Sequence, residues 1–336
     1  MDWKQILYEY VRAANERETS FSAVLDERLI ADQRHRQLER KRQNRLWSWF
    51  EQRGAKPLES ETKLTVRERR ESEKSVVADI DMRKTIKLRT GRRIHTEERL
   101  ERERLTLENL GDRWTITRVE PVTPELYGTG VASADAEDKA ANGRGAFRSV
   151  PYLNERVLVR PYPDGWERAY LYDRDAAKAY ADRHWNDPSP NFITFDVDCT
   201  NYVSQCLYAG GAPMNYTDRR ETGWWYKGKS GGKELWSYSW SVAHALFWYL
   251  MNNRSGLRAE LVTTPQELKV GDVIIYDFDG DGKFQHSTIV TGADGTGMPL
   301  VNARTSNSKA RYWDYQDSYA WTERTQYRFF RIQDTF

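Results

Sequence analysis

The chain has two cysteines and five histidines among 336 residues, so each side chain able to act as thiolate nucleophile or imidazole base can be weighed in turn. Both cysteines stand in DCTNYVSQC, as Cys199 and Cys206. Asp196, Asp198, Thr200 and Asn201 are helix-capping types, and Val203, Cys206 and Leu207 recur at helical spacing up to Gly210-Gly211. Cys199 is therefore expected in the first turn of a helix. Unpaired N–H groups and the positive end of the helix dipole stabilise a thiolate there and offer donors to a developing oxyanion. Cys206 follows two turns later, about 10 Å along the axis, too far for a disulfide. It reads as a core thiol, and a core role for Cys199 too is the competing reading.

A thiol nucleophile needs a base. His35 and His95 fall in the N-terminal half, and His244 sits mid-helix in SWSVAHALFWYL. The context of His184 gives no sign of a site. His286 opens HSTIV directly after LKVGDVIIYDFDGDGKFQ, a pattern of strand, tight acidic turn and second strand. In that turn Asp277, Asp279, Asp281 and Gly282 match positions 1, 3, 5 and 6 of a calcium loop, but position 12 is Thr288 rather than a bidentate Glu. The preferred reading is a hairpin turn that aims His286, with no metal. Trp224 and Trp225 border the Gly-rich KGKSGG and are candidates for a groove wall that stacks on substrate, with a core or loop-anchoring role as the alternative. Trp240, Ala243, Leu246, Phe247 and Leu250 follow helical spacing and are expected in a core.

The elements that must carry these residues divide into two parts. Trp3, Ile6, Leu7, Tyr10 and Val11 form one apolar stripe of a first helix, and a charged helix is expected from about Phe21 to Phe50, ended by Gly54 and Pro57. The run RHRQLERKRQNR reads as that helix's solvated face. Period-two segments follow at 62–67, 75–82, 85–90, 99–108 and 113–120, with a turn at Thr90-Gly91. Residues 1–120 thus read as helices plus an antiparallel sheet, an order that with the closing DRWTITRVE resembles the cystatin-like or NTF2-like class. No ionisable cluster of catalytic type is legible there. Residues 121–150 read as a linker, and 151–336 as a second domain in which Asp173 caps a helix over 173–185.

Lys and Arg number 52 against 50 Asp and Glu, a net charge of +2, which argues against a nucleic-acid partner. No apolar run is long enough for a membrane span, and the charged N-terminus has no signal-peptide pattern. The cytosol is the expected compartment. Thirteen Trp and 19 Tyr allow a sizeable core despite modest hydrophobic content. Nothing in the sequence fixes an oligomeric state.

The stretches DCTNYVSQCLYAGG, SWS (239–241), VGDVIIYDFDGDGKFQHSTIV and MPLVNARTSN resemble the putative amidase domain family of Gram-positive bacteria, similar in turn to the papain-like (CHAP-like) cell-wall hydrolases. The resemblance spans about residues 165–335. It implies an α+β fold in which a helix bearing the cysteine packs on a small antiparallel sheet bearing the histidine. It implies an amidase or peptidase with Cys199 as nucleophile, His286 as base and no cofactor, acting on a peptide or peptidoglycan-like substrate. Asp198, Trp224 and Trp225 are the candidate substrate contacts. A cell-wall or spore-envelope location reached without a signal peptide is then the alternative to the cytosol. Relatives carry a histidine where this chain has Arg304, followed by a threonine as here. If Val290 faces Leu300, the same register sets His286 opposite Arg304. Arginine has donors and no acceptor, so Asn302 is the candidate to orient the imidazole. Arg304 could instead hold the thiolate or a substrate carboxylate, or mark a binding module that has lost catalysis.

Overall fold

The computed structural model describes residues 2–20, 26–111, 113–122, 171–230 and 233–336. The fold is α+β. The chain forms two units: Met1–Thr123 with the short segments Asp294–Gly297 and Asp314–Trp321, and the remainder from Pro124 onward. The boundary expected at 120 lies inside a strand that runs to Val122. The rest of the expected linker, and the domain start at 151, lie outside the described residues.

In the first unit α1 (Trp3–Ser20) and α2 (Gln33–Gln52) precede a four-strand antiparallel meander, β1 (Ala55–Glu71), β2 (Ser75–Thr90), β3 (Arg93–Asn109) and β4 (Trp114–Val122). Asp32 caps α2 by accepting the His35 N–H at 3.0 Å. The β2–β3 hairpin turns at Gly91, whose φ of 58° suits glycine. The stripe Trp3, Ile6, Leu7 and Tyr10 packs on inward residues of the sheet such as Val76, Ile80 and Leu105.

The same inward faces carry buried charge. Lys84, which falls between the expected segments 75–82 and 85–90, lies within the single strand β2 and donates to Glu18 at 3.1 Å. Arg99 pairs with Asp317, and Tyr10 donates to Glu103 at 2.6 Å. No cluster of catalytic type is legible in this stretch of the sequence; these charges are interior and paired with one another. Opposite charges and hydroxyl donors satisfy one another where each alone would be costly to bury.

In the second unit α3 (Arg174–His184) is capped by Asp173, which accepts the Ala176 N–H at 2.8 Å. The central helix α4 (Cys199–Ala209) ends at Gly210, and Gly211 has a φ of 92°. A two-strand ribbon follows, β5 (Tyr226–Ser230) and β6 (Lys233–Trp236), then the short α5 (Tyr238–Ser241) and α6 (Ala243–Asn252). The main sheet has the order β11 (Ser308–Tyr312), β10 (Pro299–Ala303), β9 (His286–Ala293), β8 (Val273–Asp277), β12 (Gln326–Ile332) and β7 (Ala259–Val262). The pairings β10–β11, β9–β10, β8–β9, β8–β12 and β7–β12 are antiparallel. Ile275, Ile289 and Phe330 share one core with Val203, Cys206 and Leu207 of α4 and Trp240 and Leu246 of the later helices. That core fixes α4 on one face of the sheet.

Candidate functional site

Cys199 is the first residue of α4, as its surroundings in the sequence dictate. The first helical bond runs from the Tyr202 N–H to the Asp198 carbonyl at 3.0 Å. The side chain is 1% exposed. Its Sγ lies 3.7 Å from Thr200 Oγ1 and 3.9 Å from the Gln285 carbonyl oxygen. Burial raises the thiol pKa above its ordinary value, against the Ser287 N–H and the Thr200 and Thr305 hydroxyls, which favour the thiolate. The thiol is protonated at neutral pH, the helix terminus notwithstanding. Cys206 is fully buried in the core; both cysteines are free.

His286 opens β9 and pairs with Tyr276 of β8. The next residue, Ser287, reaches Thr200 Oγ1 on α4 at 2.9 Å. Side chains alternate along a strand, so His286 points to the other face. Its ring centre lies 5.5 Å from that of Tyr276 and 6.1 Å from that of Phe278. Burial first, and then Arg311, push its pKa down to about 3. The Cys199 sulfur is thus set against the backbone of the residues on either side of His286, Gln285 and Ser287. Among the described residues, no hydrogen bond joins it to the imidazole.

The β9–β10 register differs from the expected one. Val290 pairs with Val301 and Ile289 with Asn302, after an irregularity between Leu300 and Val301. Arg304 lies beyond the paired stretch and does not face His286. Its Nη1 stands 2.9 Å from Asp198 Oδ2, both side chains being buried, and its guanidinium lies over the Tyr202 ring. Burial nevertheless pushes the Asp198 carboxyl above its ordinary range, with Arg304 and the Asn201 amide opposing. Asn302 is committed elsewhere: its Oδ1 accepts from Thr291 Oγ1 and the Ala310 N–H, both at 2.8 Å, and its Nδ2 donates to Asp182 at 3.0 Å. It does not hold the imidazole.

Two residues beside the sulfur were not singled out from sequence. Ser287 is hidden because a serine after a histidine carries no pattern. Thr305 has a φ of 88°, an outlier for a β-branched residue. Its Oγ1 accepts the Asp198 N–H at 2.8 Å, so the strained residue holds the entry to α4. Backbone strain of this kind persists where surroundings over-determine it, often at functional sites. Asn201 locks the same turn, donating to the Ile193 carbonyl and to Asp198 Oδ1 and accepting from Trp240 Nε1.

The remaining candidates are interior. Asp198 is 3% exposed, Trp224 0% and Trp225 2%. Trp224 Nε1 donates to Ser204 Oγ, and Trp225 Nε1 to the Thr222 carbonyl, each at 3.0 Å. The tryptophans are core, the alternative already open for them, and not a groove wall. In the acidic turn, the buried Asp277 carboxylate accepts the N–H groups of Gly280, Asp281 and Gly282. It shapes the turn with oxygens that a cation would need. The described residues contain no group of three or more His, Cys, Asp or Glu side chains placed to hold a metal.

Residues 171–330 match the model of a family described as "Putative amidase domain". That stretch contains Cys199, His286, Asn302 and Arg304. The Bacillus subtilis (strain 168) protein YhbB, itself uncharacterized, is 50% identical over 171 residues, 51% of this chain and 53% of that protein. YjcM of the same organism, also uncharacterized, is 31% identical over 134 residues, 36% of this chain and 28% of its own length. The chain therefore spans about half the length of the first relative and less of the second. No solved structure matches. The family similarity points to amide hydrolysis.

Proposed function

We propose that the second unit is a cysteine-dependent amide hydrolase, with Cys199 as nucleophile and His286 as base. The observation that carries this reading is the seating of the Cys199 sulfur at a helix N-terminus, against the backbone of Gln285 and Ser287. The two reactive side chains are thus anchored one residue apart across the α4–β9 contact. Both start neutral, the thiol protonated and the imidazole unprotonated. Burial leaves the imidazole a weak base for this thiol, so attack needs the site opened: there the imidazole takes the Sγ proton as sulfur adds to the amide carbonyl carbon. The oxyanion then faces the first-turn N–H groups of α4. Collapse expels the amine, which carries away the proton from the imidazolium, and water hydrolyses the thioester.

The reacting form differs from the described one at the start of β9. The imidazole must come round to the sulfur, and the thiol must be uncovered. His286 is the first residue of β9 and pairs with Tyr276 of β8, so bringing the ring round requires that pairing at the strand start to open. The substrate class we assign is a cell-wall peptide, on the family resemblance and the Bacillus relatives. The assay is release of fragments from purified Gram-positive cell wall by the full chain, read by mass spectrometry. Release that disappears in Cys199→Ala supports the reading.

A second reading is favoured by the burial of both groups and the missing hydrogen bond: a papain-like binding module without turnover. It predicts specific retention on the wall with no fragments released, and a Cys199 thiol that alkylates no faster than a free thiol.

A further inference from the structure

The first unit holds a groove that plays no part in the proposed reaction. It runs between one face of α1 and β1 and encloses about 600 Å³, a volume typical of small-molecule sites. Its apolar walls are Trp3, Leu7, Tyr8, Val11, Leu64 and Val66. The helical positions fall on one face over roughly 12 Å of axis, and the two strand positions share a face by alternation. Tyr8 is 69% exposed, and Leu64 and Val66 are only half-buried. The groove thus leaves apolar surface in contact with solvent, at a cost that an apolar occupant would relieve.

Its charge is one-sided. Lys4, Arg12 and Arg69 line it, and no carboxylate does. Lys4 Nζ and the Arg69 guanidinium each lie 5.7 Å from the centre of the Trp3 ring, so two cations converge on one end. Arg12, two turns away, is already paired with Glu9 at 2.6 Å. Glu71 accepts from Trp3 Nε1 at 3.2 Å and stands 3.8 Å from Arg69 Nε. Arg69 and Glu71 are both exposed, and exposed pairs of this kind hold weakly. An incoming anion can replace Glu71 against Arg69. At the end of the groove opposite Trp3, Thr62 Oγ1 donates to Asn15 Oδ1 at 2.6 Å, and the walls between the two ends include the apolar Leu7, Val11, Leu64 and Val66. A peptide would bring N–H and C=O groups along its whole length and lose their solvation there. A hydrocarbon body would lose nothing.

We propose that this groove binds a long-chain fatty acid. The carboxylate sits between Lys4 and Arg69 beside Trp3, and the alkyl chain lies along α1 and β1. The test is calorimetric titration of the full chain with oleate below its micelle concentration, with oleyl alcohol as the uncharged control. Oleate is expected to bind at one site per chain and more tightly than the alcohol. Lys4→Glu with Arg69→Glu should weaken oleate binding roughly tenfold or more, and Glu71→Gln should tighten it, both at unchanged melting temperature. Absence of saturable oleate binding would overturn the proposal, as would an affinity indifferent to the charge reversal. So would self-association in sedimentation that the same reversal abolishes, because the groove would then be covered by a second copy of the chain.

Discussion

Thr200 Oγ1 and Ser287 Oγ lie 2.9 Å apart, joining the first turn of α4 to the start of β9 in a site with no exposure to solvent. This contact decides which face of the sheet each neighbour takes. It holds Cys199 against the strand and, by alternation, sends His286 to the opposite side.

That pair is expected to be coupled. Ser287→Ala and Thr200→Ala should each destabilise the second unit by about 1–3 kcal/mol, because each strands a buried hydroxyl. The double variant should cost less than the sum, by about 0.5 kcal/mol or more. Denaturant unfolding of the four proteins measures the cycle. Strict additivity would mean that the two hydroxyls do not meet in solution.

The two thiols should separate cleanly. Cys206 is fully buried beside Val203 and Leu207, so Cys206→Ser puts a hydroxyl into apolar surroundings at a cost of about 1–3 kcal/mol. Activity per folded molecule should survive. Cys199→Ser should abolish hydrolysis with a smaller change in stability. Thermal midpoints and rates for both variants are the readout, and loss of activity in both at unchanged stability would contradict the assignment.

Thr305 gives a test of stored strain. Thr305→Val keeps the φ of 88° and removes the acceptor for the Asp198 N–H, for a loss of about 1–3 kcal/mol. Thr305→Gly removes the same acceptor but relieves the backbone, and should be more stable than the valine variant by about 1 kcal/mol. Neither should recover wild-type turnover if Thr305 positions the start of α4. A glycine variant with full activity would reduce Thr305 to a packing residue.

The pH dependence of stability has two opposed contributions. His286 has its pKa depressed from 6.5 to about 3. Its contribution is fully present above pH 6.5 and is lost as pH falls toward 3, since the unfolded chain takes up the proton first. Glu103 has its pKa raised from 4.5 to about 7; its contribution is present below pH 4.5 and is lost as pH rises through 7. His286→Phe should therefore flatten the acid-side fall, by up to about 1.4 kcal/mol per pH unit. Glu103→Gln should steepen it. Thermal midpoints between pH 4.5 and 7.5 show the difference, and a profile unchanged by His286→Phe would mean that the ring is solvated.

The parts of this molecule that obey simple periodicity were legible in its sequence. The Asp173 cap, the start of α4 at Cys199 and its end at Gly210-Gly211 follow from residue chemistry alone. The strand β2 was read as two segments, 75–82 and 85–90, and the gap between them holds Lys84, an inward residue buried against Glu18 and Glu101. A charged residue at an inward position interrupts the apolar alternation, and the partner that allows its burial is distant in sequence. The position of Arg304 was misread because the irregularity between Leu300 and Val301 shifts the β9–β10 pairing, and a slip of one residue exchanges faces. Trp224 and Trp225 sit beside a Gly-rich stretch that suggests exposure. What buries them is an indole N–H partner for each, in Ser204 and Thr222, which no local pattern announces.

The most direct test of the proposed chemistry is single-turnover hydrolysis of a wall-peptide amide, quenched and read by intact-protein and peptide mass spectrometry, for wild type, Cys199→Ala and His286→Ala. The account predicts an acyl adduct on Cys199 in the wild type, no adduct in Cys199→Ala, and a rate reduced by about a thousandfold or more in both variants. Fragment release by Cys199→Ala at the wild-type rate would contradict it.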